Sequence, residues 1–358
     1  MIRYSRQHID EDDIAAVVAV LRGDWLTTGP AVEAFEAALC AATGARHAVA
    51  FANGTAALHG AAAVAGLGPG DVVATSSLSF VASANCARYV GATPTFVDID
   101  PATLNLDPRQ VPDGLDALVA VHYAGLPVDL TRLAHRPRVV IEDAAHALGA
   151  LTPDGPVGSC AHSDLCCFSF HPVKPITTGE GGAVTTNSAD LAAALRRFRS
   201  HGTVPRPDLG GWAYEVAETG YNYRLTDIQA ALGTSQLTKL EPFVVRRNEL
   251  AARYRALLGG LPVELPPAAP EGFRHAHHLF PIRVDDRRRV YDGLQAAGIG
   301  AQVHYVPIHR QPLLADEGPW HLPEVDAAYE RLLSIPLMPD LTEDEQDRVA
   351  DVLAGLVT

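Results

Sequence analysis

Lys174 lies in the run Phe168-Ser169-Phe170-His171-Pro172-Val173-Lys174-Pro175, which continues into Ile176-Thr177-Thr178-Gly179-Glu180-Gly181-Gly182. A residue that precedes a proline is held in extended geometry, so this lone lysine leaves an apolar run in a fixed direction. A partly buried amine sheds its proton more easily than a surface lysine and can act as a Schiff-base nucleophile. Upstream, Ile141-Glu142-Asp143-Ala144-Ala145-His146 puts an acid directly after another apolar run. Asp143 there can hold the proton of a ring nitrogen, or simply cap the next helix. His146 stands close enough to contact the same ring or to support the carboxylate. Asn53-Gly54-Thr55-Ala56 falls between a strand-like run and an alanine-rich helix. Free amides at such a helix start, with the Thr55 hydroxyl and close approach at Gly54, suit a phosphate. Ser169 offers a second hydroxyl five residues before Lys174, and Phe80 can stack on a ring face.

A Schiff-base amine, a carboxylate for a pyridine nitrogen, a phosphate turn and a stacking aromatic are together what pyridoxal phosphate (PLP) requires. They can converge only if the chain folds so that the ends of its apolar runs meet. His47–Phe51, Val72–Thr75, Thr95–Asp98, Ala117–His122, Val139–Glu142 and Leu165–Phe170 read as short strands. Helical patterns over about 11–22, 56–65 and 80–89 separate or precede them, Asp10 and Asp13 forming a start signal for the first. Strands alternating with helices predict an α/β fold whose mostly parallel sheet is covered by helices on both faces. Ligands in such sheets bind beyond the carboxyl ends of the strands, where Asp143, Ser169 and Gly54 fall. Ser188, or Asn187, can cap a helix to about Ser200; Gly202–Gly220 reads as a loop; Thr226–Leu240 and Pro242–Leu258 read as long helices. The proline cluster at 262–270 precedes a small α+β part with strand candidates Leu279–Val284 and Gly300–Tyr305 and a last helix over 342–355. The expected division is a large PLP-binding domain over 1–240 and a small C-terminal domain over 241–358.

Composition narrows the partners. Lys and Arg number 28 against 42 Asp and Glu, a formal charge of −14 that repels nucleic-acid backbones. No apolar run reaches the ~20 residues of a membrane span, and no apolar segment follows the N-terminus, so no membrane partner and a cytoplasmic location are expected. The five cysteines, odd in number and without a paired CxxC pattern, read as reduced thiols. His275, His277 and His278 alternate without a cysteine or carboxylate to complete a set, so no metal is expected.

The motifs Asn53-Gly54-Thr55-Ala56-Ala57-Leu58, Glu142-Asp143-Ala144-Ala145-His146-Ala147-Leu148-Gly149, the Lys174 run and Gly220-Tyr221-Asn222-Tyr223-Arg224-Leu225-Thr226-Asp227 resemble the DegT/StrS nucleotide-sugar aminotransferases. The likeness runs from Leu26-Thr27-Thr28-Gly29 to Ser334-Ile335-Pro336-Leu337. It implies the aspartate-aminotransferase fold (type I), Lys174 as the cofactor lysine, Asp143 as the pyridinium partner and Phe80 on the ring. It also implies Gly54, Thr55 and Ser169 on the phosphate, with Asn222 reaching a neighbour's phosphate across a homodimer interface. Many members carry Gln where this chain has His146. Phe198-Arg199-Ser200-His201-Gly202 and Ala301-Gln302-Val303-His304-Tyr305 resemble the branch that makes UDP-4-amino-4,6-dideoxy-N-acetyl-β-L-altrosamine for pseudaminic acid. That branch implies a UDP-linked 4-keto sugar as acceptor, with Tyr4, Asp24, Trp25, Leu26, Thr27, His304 and Tyr305 lining its pocket alongside Gly54, Ser169 and Asn222. L-Glutamate is the implied donor, leaving the pyridoxamine 5'-phosphate form that passes the amino group to the sugar. Relatives that act as sugar dehydratases carry His at the lysine position, whereas Lys174 is present here.

Overall fold

A computed structural model describes residues 1–358. The strands of its first half are β1 (His47–Phe51), β2 (Val72–Ser76), β3 (Thr93–Val97), β4 (Ala117–Val121), β5 (Val139–Asp143), β6 (Leu151–Thr152), β7 (Gly155–Pro156), β8 (Leu165–Ser169) and β9 (Gly182–Thr186). All but the short β6–β7 pair join one seven-stranded sheet in the order β1-β9-β8-β5-β4-β2-β3. Every neighbouring pair is parallel except the two made by β9, which runs against both β1 and β8. The sheet holds because side chains alternate along each strand and both faces are apolar. In β1, Val49 and Phe51 enter the core on one face while Ala48 and Ala50 enter the core on the other. Leu165 and Cys167 against Cys166 and Phe168 repeat the pattern in β8.

Helices cover both faces: α1 (Glu11–Leu21), α2 (Pro30–Thr43), α3 (Gly54–Val64), α4 (Ala82–Tyr89), α5 (Ala189–Phe198), α6 (Asp227–Leu237) and α7 (Leu240–Leu258). The expected start signal of α1 is a capping box, Asp10 accepting from the Asp13 amide while the Asp13 side chain accepts from the Asp10 amide. Thr226 and Gln229 build the same device at α6. Along α7, Leu240 and Val244 pack in the sheet core, whereas Leu250, Ala251, Tyr254 and Leu258 pack in a separate C-terminal core. That second core contains Ile2 from the N-terminus, whose amide donates to the Gly298 carbonyl at 2.9 Å.

A hairpin of β10 (Thr203–Pro205) and β11 (Tyr214–Val216) lies within the expected loop Gly202–Gly220. The C-terminal part pairs β12 (Phe280–Arg283) antiparallel with β13 (Leu332–Ile335), flanked by α8 (Arg287–Ala296), α9 (Pro312–Ala315), α10 (Pro323–Arg331) and α11 (Glu343–Val357). Three expectations need correction. Gly300–Tyr305 is not a strand: only Gln302 bridges Ser334, and the segment then leaves the sheet toward the large core. Phe80 precedes its helix, since α4 begins at Ala82. Gly54 and Thr55 are the first residues of α3, with Asn53 as its cap.

Strand β9 is the element that composition concealed, because its five residues follow the glycine turn without a polar boundary. Its first residue passes against the start of α3, where a Cβ on Gly182 would meet the Asn53 carbonyl carbon and oxygen at 2.5 Å. Those obstacles are backbone and cannot turn aside. Gly182→Ala should therefore cost about 1–3 kcal/mol in urea unfolding, the usual penalty of overpacking. Gly211→Ala, where an added Cβ meets nothing within 4 Å, is the control and should leave the midpoint near wild type.

Candidate active site

The carboxyl ends of β1, β2, β5 and β8 open onto a cavity of about 940 Å³, at the upper end of the ligand-pocket range. Gly54, Thr55, Phe80, Asp143, His146, Ser169, Lys174, His304, Tyr305 and Tyr4 all line it. Parallel pairing is the reason: strands running the same way deliver their last residues to the same edge.

Asp143 ends β5 and is fixed on both carboxylate oxygens. Ser83 Oγ donates to Oδ2 at 2.6 Å, and the Ala145 amide donates to Oδ1 at 3.2 Å. Ser83 in turn lies 2.8 Å from Ser79 Oγ, so a buried hydroxyl pair backs the carboxylate. Lys174 is half-buried beyond the end of β8, with its amide donating to the His171 carbonyl at 2.9 Å. Burial pulls its amine down from the ordinary lysine value to about 8, and the Asp143 charge opposes that shift without reversing it.

The start of α3 is built for an anion. The Asn53 side chain accepts from the Ala56 amide at 2.8 Å, and the amides of Gly54 and Thr55 have no acceptor inside the helix. A Cβ on Gly54 would lie 2.9 Å from the Ser169 Cβ, so a glycine is what lets the turn and the serine approach. Opposite this end, His146 Nε2 lies 3.1 Å from the Tyr305 hydroxyl. Burial pushes that phenol up and the Asp143 charge pushes it further, so Tyr305 stays protonated and can donate. With Nε2 accepting, the His146 proton sits on Nδ1, a buried atom without a hydrogen-bond partner. Burial, reinforced by the charge of Lys174, holds the His146 imidazole well below the usual histidine range. His304, whose Nδ1 is 2.9 Å from Ser334 Oγ, is likewise pulled by burial to about 4. Phe80 and Tyr305 face each other across the mouth with ring centres 5.9 Å apart.

Other expected residues are not brought into this cavity by a single chain. Asp24, Trp25, Leu26 and Thr27 are exposed beside α6, where the Asp227 amide donates to the Leu26 carbonyl. Asn222 is exposed in an extended stretch between Tyr221 and Tyr223, both of which do line the cavity. Alternation explains the split, since neighbours in extended chain point to opposite sides. The stacked rings of Tyr221 and Tyr223, His59 on α3 and His278 before β12 complete the wall and were not expected there. A residue one position either side of Asn222 was the available signal for the tyrosines. Nothing in the sequence marked Ser83, and His278 drew notice only as a candidate metal ligand; both arrive through packing.

The residues present fit pyridoxal phosphate on structural grounds. An unengaged helix start and two hydroxyls can take its phosphate, Asp143 its ring nitrogen, Phe80 its face, the unpartnered His146 Nδ1 an oxygen of the ring, and Lys174 its aldehyde. A PLP-dependent transferase of the type I fold is the class that this sheet and this site define. The chain belongs to the DegT/DnrJ/EryC1/StrS aminotransferase family, whose model matches residues 7–354, and it is a PLP-dependent sugar aminotransferase. It is similar to Helicobacter pylori PseC, an aminotransferase involved in the biosynthesis of pseudoaminic acid, at 31% identity and TM-score 0.93, covering 99% of each chain. Sugar aminotransferase CalS13 from Micromonospora echinospora is 33% identical with TM-score 0.91, covering 99% of this chain and 100% of that one. Spr1654 of Streptococcus pneumoniae in its PMP-form is 28% identical with TM-score 0.93, covering 100% of this chain and 99% of that one.

Cofactor loading should follow the Lys174 amine. Only the neutral amine adds to an aldehyde, so the rate of Schiff-base formation rises with its deprotonated fraction. A pKa of about 8 makes that rate climb up to pH 8 and level off above it. An ordinary lysine would keep climbing toward about 10.4. Mixing apoprotein with pyridoxal phosphate and following the visible absorbance across pH 6.5–9.5 measures the midpoint. Lys174→Ala should give no such absorbance at any pH while unfolding like wild type.

Proposed function

We propose that this enzyme transfers an amino group from L-glutamate to the C4 ketone of a UDP-linked 4-keto-6-deoxy amino sugar, as in pseudaminic acid formation. The observation that carries the reading is the likeness to PseC over 99% of both chains, combined with the motifs at 168–182, 198–202 and 301–305. When bound, the cofactor supplies an electron sink for the carbon that loses its proton. The chain's own groups do the rest. Lys174 Nζ, poised near neutrality, takes up a proton and delivers it again within each half-reaction, in the reverse sense in the second. Asp143, held by Ser83 and the Ala145 amide, keeps its charge aimed at the ring nitrogen rather than wandering to the lysine. His146 presents its Nδ1 hydrogen to the opposite edge, a tautomer that Tyr305 fixes by donating to Nε2. Tyr4 and His304, with ring centres 5.5 Å apart, lie on the wall where the sugar enters. Product analysis with UDP- and dTDP-linked keto-sugars should show amination at C4 of the UDP compound, at least tenfold faster than any dTDP compound. A dTDP preference, or amination at C3, would replace the substrate while leaving the aminotransferase assignment in place.

The active unit in this proposal is a homodimer with shared sites. Asn222 faces away from its own cavity, and the hairpin beside it exposes Trp212, Tyr214 and Val216, with exposures of 83%, 67% and 65%. Three large exposed apolar residues, Trp212 in the turn and Tyr214 and Val216 on one face of β11, support burial against a second copy. In that arrangement the Asn222 amide donates to the neighbour's cofactor phosphate, and Asp24–Thr27 approach the neighbour's sugar pocket. Mixing Lys174→Ala subunits with Asn222→Ala subunits should restore activity, since one site of the hybrid has both residues intact. Verified heterodimers without any gain, or an active monomer, would reject the shared site.

A further inference from the structure

The mouth of the cavity is framed by two segments from different cores. Ser79 and Phe80 follow β2, while His304 and Tyr305 come from the chain that leaves the C-terminal sheet. A short distance along each segment, behind the cavity wall, the two are joined. Ser77 Oγ lies 2.7 Å from His309 Nδ1 and accepts the His309 amide at 3.1 Å. The Ser77 carbonyl accepts the Ile308 amide at 2.9 Å. On its other side, His309 Nε2 lies 3.2 Å from Asp326 Oδ1 on α10. Ser77 is fully buried and His309 is 8% exposed, so little water competes for these bonds. Burial pulls the His309 imidazole down, with Asp326 opposing, so the neutral ring accepts from the Ser77 hydroxyl and donates to Asp326. Asp326 is held in turn by Arg310, which also pairs with Glu330.

We infer that the Ser77–His309–Asp326 relay positions the two jaws of the acceptor end of the cavity, Phe80 on one and Tyr305 on the other. Neither Ser77 nor His309 lines the cavity, so both act through the residues they place. Ser77 is three residues from Phe80, and His309 four from Tyr305, too short a span on either side for slack once the relay is formed. Loosening it lets the 5.9 Å approach of Phe80 to Tyr305, and the Tyr305 hydroxyl on His146, vary together. The grip on the acceptor then weakens, while Asp143, anchored on β5, and Lys174, anchored after β8, keep their places. The inference rests on the proposed reading only in that a keto-sugar enters between these jaws; it does not depend on which nucleotide the sugar carries.

Ser77→Ala, His309→Ala and the double variant test it. With the keto-sugar that wild type aminates fastest, Ser77→Ala should raise the acceptor KM roughly tenfold, the scale of one lost buried hydrogen bond, with kcat within about twofold. The double variant should be no worse than His309→Ala alone, because coupled groups are not additive. Hydrogen exchange needs no acceptor: in Ser77→Ala it should quicken in peptides covering 304–311 and stay unchanged around Lys174. KM effects that simply add, an unchanged KM, or kcat and melting temperature falling together with KM would overturn the relay as a positioning device. Unchanged exchange at 304–311 would do so as well. Failure to aminate any keto-sugar would instead strike the functional reading, with the exchange result still deciding the relay.

Discussion

A buried amine and a carboxylate share the cavity without forming an ion pair, and the chemistry of the site depends on that separation. Were Asp143 to bind Lys174 directly, the lysine would hold its proton and could not attack an aldehyde. Asp143 is instead engaged by Ser83 and by the Ala145 amide, and its remaining influence on Lys174 is through space. Burial is the larger effect and brings the amine to about 8. Ser83, backed by Ser79, thus acts with the Ala145 amide to keep the two groups independent.

That arrangement requires the sheet to deliver Asp143 and Ser169 to one edge from adjacent strands. β5 pairs parallel with β8 in a register that sets Asp143 beside Cys167, two residues before Ser169. β9 then returns antiparallel and brings Gly182 beneath the start of α3, joining the phosphate turn to the strand that leads to the lysine. The glycines at 54 and 182 are needed for this close crossing rather than for conformational freedom, since neither has a positive φ.

Polar groups around the cavity are tuned by desolvation more than by charge pairing. His146, His278 and His304 are all pushed down mainly by burial, which makes them neutral hydrogen-bonding groups at ordinary pH. The chain's net charge of −14 is therefore no obstacle to an anionic ligand, because the start of α3 offers backbone amides and nearby hydroxyls that can take one. The opposite end is framed by Tyr305 and His304, residues of the C-terminal part that the relay through His309 ties to the large core.

Lys174 between its prolines, the acid after Val139–Ile141 and the Asn-Gly-Thr turn were legible in the sequence, because each depends on local geometry. β1 was read with its observed limits for the same reason: a short apolar run between Arg46 and the turn at Asn53-Gly54 leaves one solution. β9 was not read, since a short buried strand after a glycine turn carries little local signal, whereas α2 was missed although Pro30 at its start and the left-handed Gly44 at its end mark a helix. Gly300–Tyr305 looked like a strand, but its partner β13 takes it up at a single bridge before Tyr123 captures the His304 carbonyl. Pairing between segments distant in the chain decides such cases, as it decides that Ser83 backs Asp143, that His278 reaches the wall and that Tyr221 and Tyr223 face inward while Asn222 faces out. Residue type and spacing determined which chemistry this chain carries. Which groups surround that chemistry was settled only when distant segments packed, because desolvation and hydrogen bonding depend on neighbours in space and not in order.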